Sequence, residues 1–580
     1  MKATVEERVE ALLSAMTLAE KVGQMTLAEK NSIRPGDTAR FALGGVLSGG
    51  GGYPIPNTPR SWADMVAGFQ DEALATRLRI PILYGVDAVH GHAAVEGATV
   101  FPHNCGLGAA GDPDLAYRIA RATAVEMAAT GTSWNYAPTV AVPHDLRWGR
   151  TYECFGADPD LVSRLGVAYV RGLQGADLAS PTSVLATPKH FVGDGAARWG
   201  TSTTVMQGRR FLIDQGDADL DEAALRSIHL RPYRAAIGSG ARCIMVSFSS
   251  WHGVKMHAHR RLLTDVLKGE LGFRGFLVSD WGGIDQLPGD YHAQVVASLN
   301  AGLDMIMVPY DYRRFVETAL QAVQAGDVPL ARVDDAVRRI LNAKLARGLF
   351  EHPLPQRDLL AEVGCQEHRA LAREAVRRSL CLLKNAGALP LPKDVPLVLV
   401  AGEAADDLGI QCGGWTIEWQ GKKGPIVPGT TIRAGIENVL GPARVAFDPN
   451  GRFAGVGRAP VGIVVLGEEP YAEGFGDKPD LVLTEEEISL VRSVRAVVDR
   501  LVLVVVSGRP YVLGEAYDLA DAVVAAWLPG SEGAGVADVL FGDAPFEGRL
   551  PFPWPRSSAY LTRPEAEPPL FPPGFGLVRG

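Results

Sequence analysis

Short apolar, β-branched runs alternate with helical patterns from Met1 to about Phe350, and this alternation constrains the fold more than any other feature. Runs such as PILYGV, SVLAT and GFLVS are too short for helices, and amphipathic segments such as PDLAYRIARATAVEMAA lie between them. Strands that alternate with helices in this way predict parallel βα units. The first part of the chain is therefore predicted to be an α/β domain.

Polar residues stand where several of these predicted strands end. PILYGVDAVHG places Asp87 after a strand, SVLATPKHF places Lys189 and His190, and GFLVSDWGG places Asp280 and Trp281. In a (β/α)8 barrel, the loops at the C-terminal ends of the strands build the active site. The length of the region and the position of these side chains together predict a (β/α)8 TIM-like barrel enzyme.

A second domain is predicted because a single hydrophobic core stops growing at about 250 to 300 residues. After the Pro-containing segment EHPLPQRD, an amphipathic helix leads into the buried strands PLVLVAG, VGIVVLGEE, LVLVVVSGRP and AVVAAWLPG. This pattern predicts an α/β sandwich domain. The predicted units are a barrel over residues 1–350, a linker over 351–373, a sandwich over 374–555 and a C-terminal tail over 556–580.

Composition narrows the class of partner. With 57 basic and 66 acidic residues the formal net charge is -9, which disfavours nucleic acid as a partner. The six cysteines show no metal-ligand spacing, so we predict buried thiols and no metal site. No apolar run reaches the roughly 18 residues that a membrane helix needs. The charged N-terminal segment does not resemble a secretory signal, so a cytoplasmic protein is expected, or a periplasmic or secreted one if a signal has been removed.

Two clusters of the predicted barrel combine residues that can carry chemistry, and each has a structural alternative. Asp280, beside Trp281, suits a nucleophile on a carbon electrophile, but a helix N-cap or a surface loop explains its position equally well. The second cluster can hydrogen-bond the vicinal hydroxyls of a ring, or it can form structural ion pairs in a barrel mouth. Its members are Asp87, Arg150, Lys189 and His190.

Two further clusters lie in the predicted sandwich. QCGGWTIEWQG places Trp415 and Trp419 among glycines, where flat indoles suit the apolar faces of a pyranose ring or ordinary packing at a domain seam. VLGEEPYAEGFGD contains Glu468, Glu469 and Glu473, one of which can act as a general acid. The alternative for this last cluster is an acidic surface loop.

Ten segments in one order, which cover nearly the whole chain, resemble glycoside hydrolase family 3 in its β-D-glucan exohydrolase branch. They are MTLAEKVGQM, GVDAVHG, ATVFPHNCGLGA, RWGRTYE, TPKHFVGDG, GFLVSDW, AGLDMIMVP, LLKNAGALPLP, QCGGWTIEWQG and SGRPYV. The resemblance implies a barrel joined to a sandwich, with the active site at their junction. It implies that Asp280 is the nucleophile and Glu473 the acid/base, with Glu468 and Glu469 less favoured. The residues implied to bind sugar are Asp87, Arg150, Lys189 and His190 innermost, then Trp281 and Trp419, with Trp415 and Met245 nearby.

The activity implied by the resemblance is that of a retaining, exo-acting β-glucosidase that releases glucose from non-reducing ends of β-linked oligosaccharides. A retaining glycosidase needs two carboxyl groups about 5 to 5.5 Å apart, whereas Asp280 and Glu473 are 193 positions apart in the chain. Docking of the two domains is then the only way to bring them together. This mechanism requires no cofactor, and the sequence leaves the oligomeric state open.

The sequence departs from the family pattern at Phe248, Ala93 and His144. It also departs in segment 196–219, which is longer and more basic than usual at the place where the family pattern supplies an acidic contact to a hydroxyl of the innermost sugar. β-Xylosidase activity stays open as an alternative. A β-N-acetylglucosaminidase is disfavoured because HFVGDGAARWG lacks the histidine of the His-Asp pair that such enzymes use. A noncatalytic sugar-binding protein is a third alternative, which the presence of both Asp280 and Glu473 disfavours.

Overall fold

The computed structural model describes residues 4–453 and 455–578. Its first domain contains eight short parallel strands, and every residue of these strands is buried. The strands are Thr26–Glu29, Gly45–Leu47, Leu83–Val86, Trp134–Asn135, Leu185–Ala186, Cys243–Met245, Phe276–Val278 and Ile306–Met307.

These eight strands close into a ring in chain order. The eighth, first, second, third, fourth and fifth strands form one hydrogen-bonded sheet, and the sixth pairs with the seventh. Parallel bridges between Phe191 and Val246 and between Val278 and Met305 join the two pieces. The predicted (β/α)8 barrel is confirmed.

Helices surround the barrel, and their ends follow local sequence signals. Thr4 and Thr17 each begin a helix with a reciprocal capping box, and Asp112 and Asp158 cap helices whose first residue is proline. The main helices are Val5–Ala15, Leu18–Gln24, Pro59–Leu74, Asn104–Ala110, Pro113–Ala129, Pro159–Gln174, Leu230–Gly238, Arg261–Glu270, Tyr291–Ala301, Tyr312–Ala325 and Leu330–Ala346.

The second domain is built on a six-stranded sheet. Helix Gln366–Ser379 leads into it and begins inside the predicted linker. In spatial order the strands are Cys381–Asn385, Ala522–Ala525, Val498–Val506, Ala459–Gly467, Val398–Ala401 and Val445–Phe447. The first of these is antiparallel to its neighbour and the others are parallel. Further helices are Leu408–Cys412, Ile432–Leu440, Glu485–Ala496, Glu515–Leu519, Ala534–Leu540 and Ser558–Thr562.

The order of these strands places a topological switch point beside the barrel. From Val398–Ala401 the chain passes outward to Val445–Phe447 and then returns to Ala459–Gly467 on the other side. Loops that leave two strands at such a point diverge and open a crevice, which is where open α/β sheets bind ligands. The segment after Val398–Ala401 carries Trp415 and Trp419, and the loop after Ala459–Gly467 carries Glu473.

The C-terminal segment packs on the second domain. Trp554 in the C-terminal region bridges Phe571, and Leu577 N–H donates to Leu382 O at 2.8 Å. All six cysteines are free thiols; five are buried and Cys365 is partly exposed. Within the described residues, no helix has both the length and the apolar character to cross a membrane.

Candidate active site

Asp280 lies at the C-terminal end of the seventh barrel strand and is 8% exposed. Its backbone N–H donates to His257 Nε2 at 3.0 Å, and its Oδ1 accepts from the Trp281 N–H at 2.7 Å. Its Oδ2 is buried and has no hydrogen-bond partner among the residues that the structure describes. An unpaired buried carboxylate oxygen is costly, so this atom is available to a ligand.

Side chains from the third and fifth strands meet Asp280. Lys189 Nζ donates to Asp87 Oδ1 at 2.6 Å, and the Lys189 side chain is almost fully buried. His190 Nδ1 is 2.9 Å from Asp194 Oδ2, and His190 Nε2 is 3.6 Å from Asp280 Oδ2. The structure thus brings these predicted residues into one buried polar pocket.

Arg150 connects this pocket to the second domain. Its guanidinium donates to both oxygens of Glu153 at 2.9 Å, a bidentate pair that fixes the orientation of the planar group. The remaining Nη1 donates to Glu473 Oε1 at 3.2 Å. Arg150 therefore holds the predicted acid/base of the sandwich against the barrel.

Glu473 is presented by a loop over residues 468–478 that packs directly on the barrel. Its backbone φ is +56°, and it begins the short 3-10 helix Glu473–Gly476. Gly149 faces its carbonyl oxygen so closely that a Cβ at position 149 would lie 1.9 Å from that oxygen. Only glycine fits at position 149, which explains the RWGR sequence before Arg150.

Burial separates the pKa values of the two carboxyl groups. Burial raises the pKa of Asp280 to about 6, although Arg150 and Lys189 oppose the rise. Burial raises the pKa of Glu473 to about 8 against the opposing charge of Arg150, and Asp214 and Asp280 add to the rise. Near pH 7, Asp280 is mainly ionised and Glu473 mainly protonated, which are the states that a nucleophile and a general acid require.

Trp281 and Trp419 both contact the glycine-rich loop over residues 49–52. A Cβ at Gly49 would lie 2.7 Å from the Trp281 ring, and a Cβ at Gly50 would lie 2.5 Å from Trp419 Cβ. Both indoles are partly exposed. The glycine-rich segment, which the sequence indicated only as a loop, therefore packs against the Trp281 ring and against the main chain of Trp419.

Trp415 and Met245 lie deeper. Trp415 is 9% exposed, with its ring centroid 5.5 Å from Lys189 Nζ, and within the described part of the chain its Nε1 has no hydrogen-bond partner. It therefore belongs with the inner pocket and not with the two outer indoles. Met245 is 2% exposed in the sixth barrel strand, and its carbonyl accepts from Phe191 N–H at 2.8 Å.

Glu153, Asp194 and His257 are site residues that the sequence analysis did not single out. Glu153 stands three positions after Arg150, and Asp194 four positions after His190, so short-range pairing was a usable signal. His257 contacts Asp280 only through the tertiary fold. Of the other two glutamates, Glu469 is exposed, and the carboxylate of Glu468 is engaged by Arg509, Lys478 and Tyr511.

Potential metal ligands are clustered elsewhere in the described part of the chain. The potential ligand atoms of Glu362, Cys365 and His368 lie within 4.8 Å of one another, inside the predicted linker. None of these three belongs to the pocket around Asp280.

Comparisons with known proteins agree with this architecture. The model of the glycosyl hydrolase family 3 N-terminal domain matches residues 17–343, and that of the C-terminal domain matches residues 380–578. An exo-1,3/1,4-β-glucanase from a Pseudoalteromonas species superposes with a TM-score of 0.92 at 40% identity, over 100% of this chain and 75% of that one.

Two curated relatives align along most of the chain. A lysosomal β-glucosidase of Dictyostelium discoideum is 33% identical, over 96% of this chain and 73% of its own length. A β-xylosidase of Formosa agariphila is 28% identical, over 99% of this chain and 79% of its own length.

Proposed function

The chain belongs to glycosyl hydrolase family 3, and we propose that it acts as an exo-acting, retaining β-glucosidase of β-linked glucose oligosaccharides. It is a glycoside hydrolase. In this proposal Asp280 is the nucleophile and Glu473 the general acid/base. Asp87, Arg150, Lys189 and His190 bind the innermost glucosyl unit.

One observation carries the assignment of roles. The charge of Arg150 acts on two largely buried carboxyl groups from different domains, lowering the pKa of Asp280 and donating a hydrogen bond to Glu473. Burial outweighs this charge and raises the pKa of Asp280 to about 6 and that of Glu473 to about 8. Pairs of titratable groups whose environments push their pKa values apart identify the acid and the base of a site. The difference matches a double displacement, in which one carboxylate attacks while the other carboxylic acid donates.

The proposed reaction has two steps. In the first, Asp280 Oδ2 attacks the anomeric carbon, the glycosidic C–O bond breaks, and the proton of Glu473 moves to the leaving oxygen. In the second, Glu473 removes a proton from water, the water oxygen bonds to the anomeric carbon, and the ester bond to Asp280 breaks. Both carboxyl groups return to their initial states, and the released glucose keeps the β configuration.

Exo action is supported by the different side chains at the two ends of the pocket. Charged, hydrogen-bonded side chains surround the Asp280 end, and these groups are suited to reading the hydroxyls of one terminal sugar. Trp281 and Trp419 lie at the partly exposed end. We propose that they grip the second sugar through its ring faces, which constrain its rotation less than hydrogen bonds do.

β-Xylosidase is the second candidate function. The relative from Formosa agariphila bears that activity in its name and aligns along 99% of this chain. Xylose lacks the exocyclic hydroxymethyl group of glucose, so a pocket that contacts this group discriminates between the two sugars.

Hydrolysis of matched substrates tests the proposal. We expect kcat/KM for aryl β-glucoside to exceed that for aryl β-xyloside and for aryl β-N-acetylglucosaminide, with glucose as the sole first product from a β-linked glucose oligosaccharide. The Asp280→Ala protein, purified in parallel, controls for contaminating activity. A preference for the xyloside selects the second candidate, and internal cleavage of the oligosaccharide contradicts exo action.

A further inference from the structure

Residues 198–215 form an arm of the barrel that reaches the loop carrying Glu473. The arm contains a two-stranded hairpin in which Val205–Met206 pairs with Arg209–Arg210. Near its base, Gly200 N–H donates to Leu212 O at 2.7 Å. The arm lies within the long, basic segment that departs from the family pattern, and it is internally hydrogen-bonded.

Asp477, at the end of the 468–478 loop, joins this arm to the sandwich. Its Oδ2 accepts the backbone N–H groups of Leu212, Ile213 and Asp214 at 2.9, 2.7 and 3.0 Å. Its Oδ1 accepts the N–H of Gly149 at 2.9 Å. Asp477 is 1% exposed, so one buried carboxylate satisfies four backbone donors from two segments of the barrel.

Aromatic packing adds a second connection between arm and loop. Phe211 of the arm packs edge-on against Phe475 with a ring-centroid distance of 5.4 Å. Phe475 in turn packs edge-on against Trp419 at 5.5 Å. A Cβ at Gly474 would lie 2.2 Å from the Phe211 ring, so the arm contacts the residue that follows Glu473.

We propose that Asp477 is a positioning residue for the acid/base: its carboxylate docks the 468–478 loop on the barrel arm and thereby aims Glu473 at the glycosidic oxygen. Among the described residues, Arg150 donates the one hydrogen bond that the Glu473 carboxyl accepts, at 3.2 Å. The direction of this carboxyl therefore depends mainly on how its loop is held. A carboxylate that gathers consecutive backbone N–H groups is a strong, directional anchor. This inference rests on the proposed function.

Asp477→Asn is the matched test, because the amide keeps the size of the side chain and removes one of its two acceptor oxygens. A misaimed general acid slows poor leaving groups more than good ones. We expect kcat/KM for a β-linked glucose disaccharide to fall about 10- to 100-fold. For 2,4-dinitrophenyl β-glucoside the expected fall is under about 3-fold, because this leaving group needs little protonation.

Asp521→Asn is the control, since Asp521 Oδ2 also accepts a backbone N–H, that of Leu501. Leu501 lies in the first half of the sandwich strand Val498–Val506. This control should keep the ratio of the two rates at the parental value. Equal loss on both substrates in Asp477→Asn, or no loss on either, overturns the inference. If Asp477→Asn does not fold, Phe211→Ala decides by the same ratio.

Glu473→Ala, measured beside these variants, separates this inference from the proposed function. If Glu473→Ala shows no leaving-group dependence, the acid/base assignment itself is wrong. If it does show this dependence while Asp477→Asn does not, only the positioning role is wrong.

Tyr310 supports a second, independent inference. Among the described Phe, Tyr and Trp residues it is the one whose side chain is exposed, at 67%, and it lies beside Trp281 with a ring-centroid distance of 5.6 Å. Pro309 fixes its backbone, since the Pro309 carbonyl accepts from Glu29 N–H at 3.0 Å and from Ser32 Oγ at 2.6 Å. A rigidly mounted, exposed ring next to a sugar-binding indole offers a further stacking face.

We infer that Tyr310 binds the third sugar of an oligosaccharide, outside the pair of indoles. If so, the wild-type enzyme has a higher kcat/KM for a β-linked glucose trisaccharide than for the disaccharide, by about 3- to 10-fold. Tyr310→Ala should abolish this gain and leave the disaccharide rate within about 2-fold. Tyr310→Phe, which keeps the ring, should retain it. Absence of a gain in the wild type, or an equal loss on both substrates in Tyr310→Ala, contradicts this inference without affecting the proposed function.

Discussion

The inner pocket around Asp280 and the outer pair Trp281 and Trp419 differ in chemistry, burial and origin. The inner pocket consists mainly of barrel residues whose charged groups are already paired, as Lys189 is with Asp87. The outer pair takes one indole from each domain, and both indoles are partly exposed. In the proposed function, a sugar chain would pass from a polar environment to an apolar one between its first and second sugars.

This difference teaches how one site can combine strict and permissive recognition. Hydrogen bonds in the inner pocket fix where each hydroxyl must lie, and an unmatched buried polar group costs about 1 to 3 kcal/mol. Stacking on an indole is less directional and is worth about 0.5 to 1.5 kcal/mol. Losses in the inner pocket should therefore be large and independent of chain length, whereas losses at the outer pair should be small and confined to substrates with a second sugar.

Asp280→Ala should have the largest effect of any change in the inner pocket. It removes the proposed nucleophile, so kcat/KM should fall on the order of 10⁴- to 10⁶-fold on every substrate. Initial rates on aryl glucoside and disaccharide, with circular dichroism to verify folding, provide the measurement. Activity near the parent level in a folded variant would show that another group attacks the sugar.

Glu473→Ala should reveal a dependence on the leaving group. Loss of a general acid costs about 10² to 10⁴ in rate when the leaving group is poor. The disaccharide should lose this much, while 2,4-dinitrophenyl β-glucoside should retain most of its glycosylation rate, and added azide should restore its turnover. The same pattern in Glu468→Ala instead of Glu473→Ala would move the acid to an earlier position in the loop.

Lys189→Met tests the electrostatics of the inner pocket through pH. In the wild type, kcat/KM should fall below about pH 6 as Asp280 is protonated and above about pH 8 as Glu473 loses its proton. Lys189 lowers the pKa of Asp280. Its removal should therefore move the acid limb, the fall in kcat/KM at low pH, upward by about one pH unit.

Loss of the proposed sugar contact of Lys189 should also lower the rate on the order of 10- to 100-fold. An acid limb that does not move in Lys189→Met would mean that a group other than Asp280 controls it.

Trp419→Ala should have the smallest effect and the most selective one. We expect KM for a β-linked disaccharide to rise by the equivalent of about 0.5 to 1.5 kcal/mol of lost stacking, and KM for methyl β-glucoside to stay almost unchanged. If both substrates suffer equally in a folded variant, Trp419 supports the domain seam and the outer pair does not bind sugar.

Much of the fold and the barrel half of the site could be predicted from the sequence. Short buried runs with polar residues at their ends are a local signal, and this signal indicates Asp87, Lys189, His190 and Asp280 as candidate site residues. Glu473 was assigned only through the family resemblance, because its contact with Arg150 depends on how two domains dock.

The unpredicted part of the site consists of contacts without a local pattern. His257, in the segment between the neighbouring sixth and seventh barrel strands, contacts the backbone of Asp280. Asp477 contacts the arm at Ile213 across the domain interface. No periodicity links such positions, since their separation in sequence is set by the lengths of loops. Gly49 and Gly50 were visible as glycines, but their close approach to Trp281 and Trp419 is a property of the packed structure.

Covalent trapping tests the central claim most directly. A 2-deoxy-2-fluoro-β-glucoside with a 2,4-dinitrophenyl leaving group should form the glycosyl-enzyme quickly and hydrolyse slowly, because fluorine destabilises both oxocarbenium-like transition states. Intact mass should rise by one 2-deoxy-2-fluoroglucosyl unit, and peptide mass spectrometry should place that unit on Asp280. An adduct on another carboxylate, or α-glucose as the first product of an unmodified β-glucoside, would contradict the account.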